Sequence, residues 1–534
     1  MSRLENRVGR PGEFRGDFTR DTFDAAKQYS RVFMQQGRVS IDADWNEQIS
    51  ISNHYQRMFT SAVIGPHAAP WNCPSDFMLK LLDNKQFQVN RGIYFVNGLM
   101  CVNDNREYTG DLAKLLQCED HDLELGSYVI YLDAWESHVT YIDDDGIREQ
   151  ALGGADTATR AQINWKIRAR KISEFGDLSS ILHFDTNGSP TGIDQAGFLT
   201  LIRDEMKPGK GRMLARGKPA RKDSDLCSSD SSVGYRGKEN QLYRVEICRG
   251  GKDEVTFKWS RENSAIMFPI RSISNDTIML EHLGRDICAC LKVNDWVEVI
   301  AGGQDCHGDQ CVLYQVVSIN EEKYSISLNH NVVGDFDDTA LEKAHLRRWD
   351  HSEGDEKGIP LNQALSEWYE LEDGVEIAFA RNPSEVPTDS ASEKVHLEEQ
   401  AKMRERENAD RESAEQDKKV AYQPGDYWLI PARSTSNSIE WPMKSGKPEP
   451  LAPHGVVHHY APLRLIVRDD GEEKVNLDTR RVISQNWHPV SKDRATDRRP
   501  ERKKPGADSS PAKVAKPAAI RKKKVAKKTK RKVQ

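Results

Sequence analysis

The chain has 534 residues, of which 37% are hydrophobic and 30% charged, enough for two or three domains joined by solvated segments. No window approaches 18 apolar residues, which excludes an ordinary transmembrane helix. The start is polar and arginine-containing and lacks the apolar core of a secretory signal. We therefore expect a cytoplasmic protein whose thiols are mostly reduced.

The net charge of −6 hides an uneven distribution. From Lys492 onward the chain carries 18 Lys/Arg and 4 Asp/Glu, whereas residues 1–491 carry 59 basic and 79 acidic groups, a balance of −20. Such a Lys/Ala/Pro-rich tail, 488–534, predicts a disordered polycation that binds nucleic acid or another acidic surface without reading sequence. A tail that folds back on the acidic body is an equally open alternative. The candidate polyanion-binding residues are Arg521, Lys522, Lys523, Lys524, Lys527, Lys528, Lys530, Arg531 and Lys532.

The first structured element is predicted in the segment 1–62, where residues 18–48 are dense in residues that fix local geometry. Asp21 or Asp24 is expected to start a turn. Gly37 then interrupts the alternating pattern, and a short strand is predicted over residues 38–41. Asp42 or Asp44 is expected to cap the helix that follows.

Asp44 and Glu47 have the D-x-x-E spacing of a capping box. A metal or acid/base role for Asp42, Asp44 and Glu47 is the less favoured reading, because no histidine or third separated carboxylate lies nearby in the sequence.

A β domain is predicted for 63–205, because short apolar runs between residues 77 and 142 are separated by turn signals such as Asn97-Gly98. Gly153-Gly154 is interpreted as a structural turn, since no lysine follows at the spacing of a phosphate-binding loop. Residues 206–233, rich in Gly, Lys and Ser, are predicted to form a loop.

The segment 234–383 is predicted to contain an SH3-like or barrel unit. Five short strands over 265–333 suggest a small closed β unit, of a kind that usually binds or scaffolds. Arg261 and Glu262, at the end of a predicted strand, are more simply an ion pair than a catalytic pair. Residues 384–419 are predicted to form a charged insertion, helical or disordered, and residues 420–487 a closing β region. The predicted fold class is therefore mainly β and multi-domain, with one N-terminal helix and a disordered tail.

Two groups of residues resemble metal ligands but have unsuitable spacing. Zinc ribbons generally use C-x2-C twice, whereas Cys288/Cys290 are C-x-C and Cys306/Cys311, with His307, are C-x4-C. Free buried thiols are the favoured reading. His454, His458 and His459 lie among prolines and glycines that disfavour a helix, and on a strand His458 and His459 point to opposite faces. We expect no metal and no cofactor.

Two stretches carry a family resemblance: YSxVxMQQGRVxxDADWNEQ, from Tyr29 to Gln48, and ALGGADTATRAQ, from Ala151 to Gln162. They resemble an uncharacterised family associated with phage-tail-like contractile injection systems. With interruptions, the resemblance covers roughly residues 18–470 and implies a structural or accessory component, baseplate-like or fibre-like, that docks on other proteins of the apparatus. A homo-oligomer or a part in a released particle is compatible with it. The candidate docking residues are Gln36, Gly37, Arg38, Asp42, Asp44, Trp45, Asn46 and Glu47.

An enzyme is the rival class, for instance a hydrolase or effector displayed or delivered by such an apparatus. The sequence contains no G-x-S-x-G, H-E-x-x-H or P-loop motif in its support. The enzyme therefore remains the less favoured alternative.

Overall fold

The computed structural model describes residues 14–82, 86–105, 108–116, 127–172, 182–184, 186, 190–202, 211–219, 234–250, 255–286, 288–300, 311–332, 343–361, 367–380, 422–469 and 472–483. All of them belong to one compact unit, Met1–Ile483; a second unit, Ser484–Gln534, lies wholly outside them. The predictions for the 384–419 insertion and for the basic tail, with its nine candidate residues from Arg521 to Lys532, also lie outside the described residues.

The described part is mostly β-structure, as predicted. Its α-helices are α1 Asp42–Ile64, α2 Leu112–Leu116 and α3 Gln195–Leu201. Its strands are β1 His67–Ala68, β2 Leu79–Leu81, β3 Gln86–Val89, β4 Gly92–Val96, β5 Leu99–Asn103, β6 Tyr108–Asp111, β7 Ser127–Val139, β8 Arg160–Ile172, β9 Leu182–Phe184, β10 Pro190–Ile193, β11 Met213–Gly217, β12 Gln241–Arg249, β13 Thr256–Ser260, β14 Met267–Ser274, β15 Thr277–Leu280, β16 Trp296–Ile300, β17 Leu313–Asn320, β18 Ser325–Leu328, β19 His345–Trp349, β20 Ile359–Pro360, β21 Tyr369–Glu372, β22 Val375–Phe379, β23 Tyr427–Arg433, β24 Ser438–Ile439, β25 Met443–Lys444, β26 Lys447–Pro448, β27 His459–Asp469 and β28 Glu472–Asp478.

The first large sheet has four strands in the order β28-β27-β7-β8. Its centre is formed by the two long strands β7 and β27, and β8 and β28 lie at its edges. Its apolar side packs against small hairpins, among them β4–β5. Asn97 and Gly98 both have positive φ, 50° and 86°, at the turn between β4 and β5, as the predicted Asn-Gly hairpin requires. The core of this region contains aromatic side chains that include Phe77, Phe87 and Tyr94.

A second core lies between a five-stranded sheet, β20-β13-β12-β23-β24, and a three-stranded sheet, β11-β22-β21. The first strand of the smaller sheet, β11, falls in the segment 206–233, which was predicted to be a loop; for these five residues that prediction is wrong. The physical reason is a short apolar run, Met213, Leu214 and Ala215, which is fully buried where β11 pairs with β22.

The predicted small closed unit is a barrel of six strands, β14-β15-β18-β17-β16-β19. Five of them fall in the predicted interval 265–333, and β19 closes the barrel by pairing with both β14 and β16. Asn294 takes a positive φ of 77° in the turn before β16. Alternating apolar residues such as Ile278, Val316 and Leu346 fill the interior.

A disulfide joins the barrel to the neighbouring sheet. Cys248 of β12 and Cys311, which precedes β17, are bonded, with their Cα atoms 5.3 Å apart. The expectation of free, buried thiols is therefore wrong for Cys311, and Cys288 is free but exposed. A contact between residues 63 positions apart leaves no local pattern in the sequence.

In the described part of the chain, no helix has the length and apolar character that crossing a membrane requires.

Candidate docking surface

The N-terminal arm, residues 14–41, begins with an anchor in the protein interior. The Arg15 guanidinium is buried and lies 3.0 Å from a carboxylate oxygen of Glu246. Asn263 donates from its side-chain nitrogen to the carbonyls of Phe14 and Gly16, at 3.0 Å each. This end of the arm is therefore held by buried polar contacts, of the kind that is costly to break.

The arm then runs beside α1, to which side chains hold it. The backbone N–H of Thr19 donates to Asp42 Oδ2 at 2.8 Å, and the hydroxyl of Thr22 bonds to Glu47. Further along, the N–H of Val32 donates to Gln48 Oε1 at 2.8 Å. Burial raises the pKa of the Asp42 carboxyl, but hydrogen bonds from Thr19 and from the backbone N–H groups of Ala43 and Asp42 together hold it below its usual value.

These bonds overturn the capping predictions at the start of α1. The N-cap is Ile41, which makes no side-chain capping bond, and Asp42 and Asp44 lie in the first helical turn. Asp42 and Glu47 instead bind threonines of the arm. The negative charge of the first turn still favours the helix, since it lies at the positive end of the helix dipole.

The other local predictions for the arm have mixed outcomes. Asp24 caps a short 3-10 turn, Ala25–Lys27, and Asp21 accepts from the N–H of Phe23, as expected of turn-starting aspartates. Gly37 has a φ of 71° in a turn. The strand predicted over 38–41 is wrong: these residues are exposed and pair with no strand among the described residues.

Helix α1 contacts the body of the protein on one side only. Its buried residues are Ala43 and Ile51. Arg57 pairs with Glu136 of β7 at 2.6 Å, and its backbone lies directly over Gly98, where a Cβ would come within 2.7 Å of the Arg57 carbonyl. The hairpin glycine thus lets the helix approach closely.

The opposite side of α1 carries large apolar side chains in solvent. Trp45 is 70% exposed, Ile49 45%, Phe59 69% and Val63 43%. At about 100° per residue these four lie within roughly 40° of one direction, and Ala43 and Ile51 point elsewhere. We call this face, together with the two polar residues between its apolar ends, the outer stripe: Trp45, Ile49, Ser52, Gln56, Phe59 and Val63.

The arm adds exposed apolar side chains to the same N-terminal element. Phe33, Met34 and Val39 are 69%, 58% and 86% exposed. The guanidinium of Arg31 lies over the ring of Phe33, 4.0 Å from its centre. Several exposed apolar side chains on one element mark an interaction site more often than a single exposed leucine does.

The predicted docking residues differ in how accessible they are. The exposed ones include Gln36, Gly37, Arg38, Trp45 and Asn46. Asp44 and Glu47 are half-buried, and the carboxylates of Asp42 and Glu47 bind threonines of the arm. Their docking role remains a prediction. The sequence reading missed the second half of α1, where the spacing of Phe59 and Val63 from Trp45 was the available signal.

Arg261 and Glu262 do not pair with each other. Arg261 binds Asp350 and Glu372, at 2.8 and 2.6 Å, and Glu262 lies 3.7 Å from Arg348. Burial and the negative charge of Asp350 raise the pKa of Glu262 to about 7. The residues thus belong to a network of ion pairs that connects the five-stranded sheet, the three-stranded sheet and the barrel.

The three histidines of the closing region have separate surroundings. His458 Nδ1 lies 2.6 Å from Asp133, His459 contacts Asn97, and His454 packs on Tyr427. Among the described residues no group of three or more His, Cys, Asp or Glu side chains could hold a metal ion. Cys306 and His307 lie outside the described residues.

The chain matches a family of unknown function, DUF6519, over residues 14–175 and 207–386. The chain belongs to this family. Of the two regions of the chain that match DUF6519, the first includes the arm and α1, and the second contains the barrel. No match was found among curated proteins or among solved structures.

Proposed function

We propose that the protein is a structural component of a phage-tail-like contractile injection apparatus, baseplate-like or fibre-like, which docks through its N-terminal element. The observation that carries the docking role is the exposed apolar surface of the arm and α1. The sequence resemblance described above supports the setting.

The way the arm is held favours binding. Arg15 fixes one end, and Thr19, Thr22 and Val32 fix its course along α1. A surface that is ordered before binding loses less conformational entropy when a partner covers it. Burial of exposed apolar area contributes roughly 25 cal/mol per Å². The arm is therefore suited to a stable contact.

Docking predicts that changes confined to the arm weaken assembly and leave the fold intact. The variant Phe33→Ser/Val39→Ser should lower co-sedimentation with sheath-containing particles by at least about tenfold, equivalent to ~1.4 kcal/mol. Its thermal unfolding should match that of the unmodified chain, because both side chains are exposed. The measurement is the bound fraction after ultracentrifugation over a range of particle concentrations.

Leu152→Ser/Met443→Ser is the matched control, since these side chains are also exposed but lie outside the N-terminal element. It should bind as the unmodified protein does. Failure of the unmodified protein to co-sediment contradicts the proposed function. Equal binding by the arm variant and the unmodified protein contradicts the docking site. Turnover of a substrate by the unbound protein would favour the displayed or delivered hydrolase instead.

The charge of the tail favours a second function, binding of polyanions. Residues from Lys492 onward carry 18 basic and 4 acidic groups, with no aromatic side chain to stack on a base. Affinity for unrelated DNA duplexes should fall steeply with salt, by roughly 0.9 in log–log slope per phosphate neutralised. Titration of the full chain and a 1–490 chain measures this. Equal affinities would contradict tail binding, and a marked sequence preference would contradict its electrostatic origin.

A further inference from the structure

The outer stripe of α1 has the spacing of a helix-pairing surface. From Trp45 to Val63 its members are separated by four, three, four, three and four residues, the a/d pattern of a coiled coil. All six are exposed. A side of a helix with this pattern fits another helix, crossing at about 20°.

The order of residues along the stripe is self-complementary. In an antiparallel pair centred between Ser52 and Gln56, Trp45 faces the second helix's Val63, and Ile49 faces its Phe59. Ser52 then faces Gln56 at the centre. Apolar residues meet apolar ones, and the two central polar residues can hydrogen-bond. An isologous dimer requires this match, because one surface must fit itself across a two-fold axis.

The positions that flank the stripe contain no charge that would repel its copy. In coiled coils the flanking residues often set partner choice through charge. Here the uncharged flanks place no like charges opposite each other in a pair of identical helices, so the self-complementary order of the stripe is the feature that selects the partner. The flanking residues are Asn46, Asn53 and Thr60 on one side and Gln48, Tyr55 and Ala62 on the other.

We propose that α1 pairs with α1 of a second copy of this chain, in antiparallel orientation, so that the assembling unit is a homodimer. This inference deepens the proposed docking function and rests on it only for its biological setting. The helix has 23 residues, about 34 Å at 1.5 Å per residue, so the pair can use the whole stripe. The arm's Phe33, Met34 and Val39 lie outside the a/d positions.

Paired charge substitutions test the partner and the register together. Sedimentation of the purified unmodified chain should show a concentration-dependent dimer. Ile49→Glu and Phe59→Lys should each raise the dissociation constant by at least about tenfold, because each places an unpaired charge in the apolar contact. An equimolar mixture of the two variants should recover dimer, since residue 49 of one chain then faces residue 59 of the other.

Leu152→Glu is the control at an exposed site away from α1 and should dimerise normally. Circular dichroism and thermal unfolding should show that all three single variants are folded. A monomer at every concentration overturns the inference. Dimer formation that neither variant weakens also overturns it, as does a mixture of the variants that remains monomeric.

The two proposals fail separately. A monomer that still co-sediments with particles overturns only the homodimer. A dimer with the expected response to substitution that does not co-sediment overturns only the injection-apparatus function.

Discussion

Replacing Glu246 with alanine should lower the free energy of unfolding by about 3–5 kcal/mol, the usual cost of removing one partner from a buried ion pair. The Glu246 carboxylate is buried and lies 3.0 Å from Arg15, 2.7 Å from Arg244 and 3.4 Å from Lys258, all buried themselves. Burial by itself raises the pKa of this carboxyl, but the three cations lower it well below its usual range. Its loss leaves them without their shared anion.

The effect should extend across the molecule because the cluster connects three parts of it. Arg15 belongs to the arm, Glu246 and Lys258 to β12 and β13, and Lys258 also binds Glu298 of the barrel at 2.8 Å. Urea unfolding followed by fluorescence measures the change. Glu440→Ala is the control, because Glu440 binds Arg20 and Arg433 in partly exposed pairs, whose loss should cost less than about 1 kcal/mol. Similar stability of the two variants would contradict this role of Glu246.

The mainly β fold and the barrel could be predicted because their signals are local. Short alternating runs and turn residues such as Asn294 identify strands and connections without knowledge of distant partners. Strand pairing could not be predicted in the same way. Strand β27 pairs with β7 more than 300 positions earlier, and β23 pairs with β12, so the closing region 420–487 contributes to both large sheets.

The errors at α1 have a similar cause. A D-x-x-E pattern predicts a helix cap. In the folded chain, however, the carboxylates of Asp42 and Glu47 accept hydrogen bonds from Thr19 and Thr22 of the arm. Sequence periodicity also cannot tell whether an apolar stripe faces the core or another molecule. Trp45 and Phe59 read equally well as core residues, and their exposure is known only from the structure. Arg15 has no local pattern that would reveal its role as an anchor.

The second large effect expected is a loss of stability by several kcal/mol on acidification from pH 7 to pH 4. His67, His351 and His459 are buried, and burial lowers the pKa of each to about 4. The positive charge of Arg481 further lowers the pKa of His67, and that of Arg57 further lowers the pKa of His459. Histidines in the unfolded chain have a pKa of ~6.5, so the stability contribution is complete above that pH and is lost as the pH falls toward 4.

Glu262 acts in the opposite direction. Its pKa of about 7 lies above the unfolded value of ~4.5, so its contribution is complete below ~4.5 and is lost as the pH rises through 7. The three histidines with lowered pKa outnumber the two carboxyls whose pKa burial raises, Glu262 and Asp295, so stability should fall on acidification. Urea midpoints from pH 4 to pH 8 measure the slope. Glu262→Gln should steepen the fall in stability, because it removes the carboxyl that acts in the opposite direction. His351→Gln should flatten the fall, because protonation of His351 places a charge at its ring nitrogen Nε2, which is buried without a hydrogen-bond partner. Leu152→Gln, which changes an exposed side chain without an ionisable group, is the control that should keep the original slope. A slope that neither Glu262→Gln nor His351→Gln alters would show that these buried groups do not set the pH dependence.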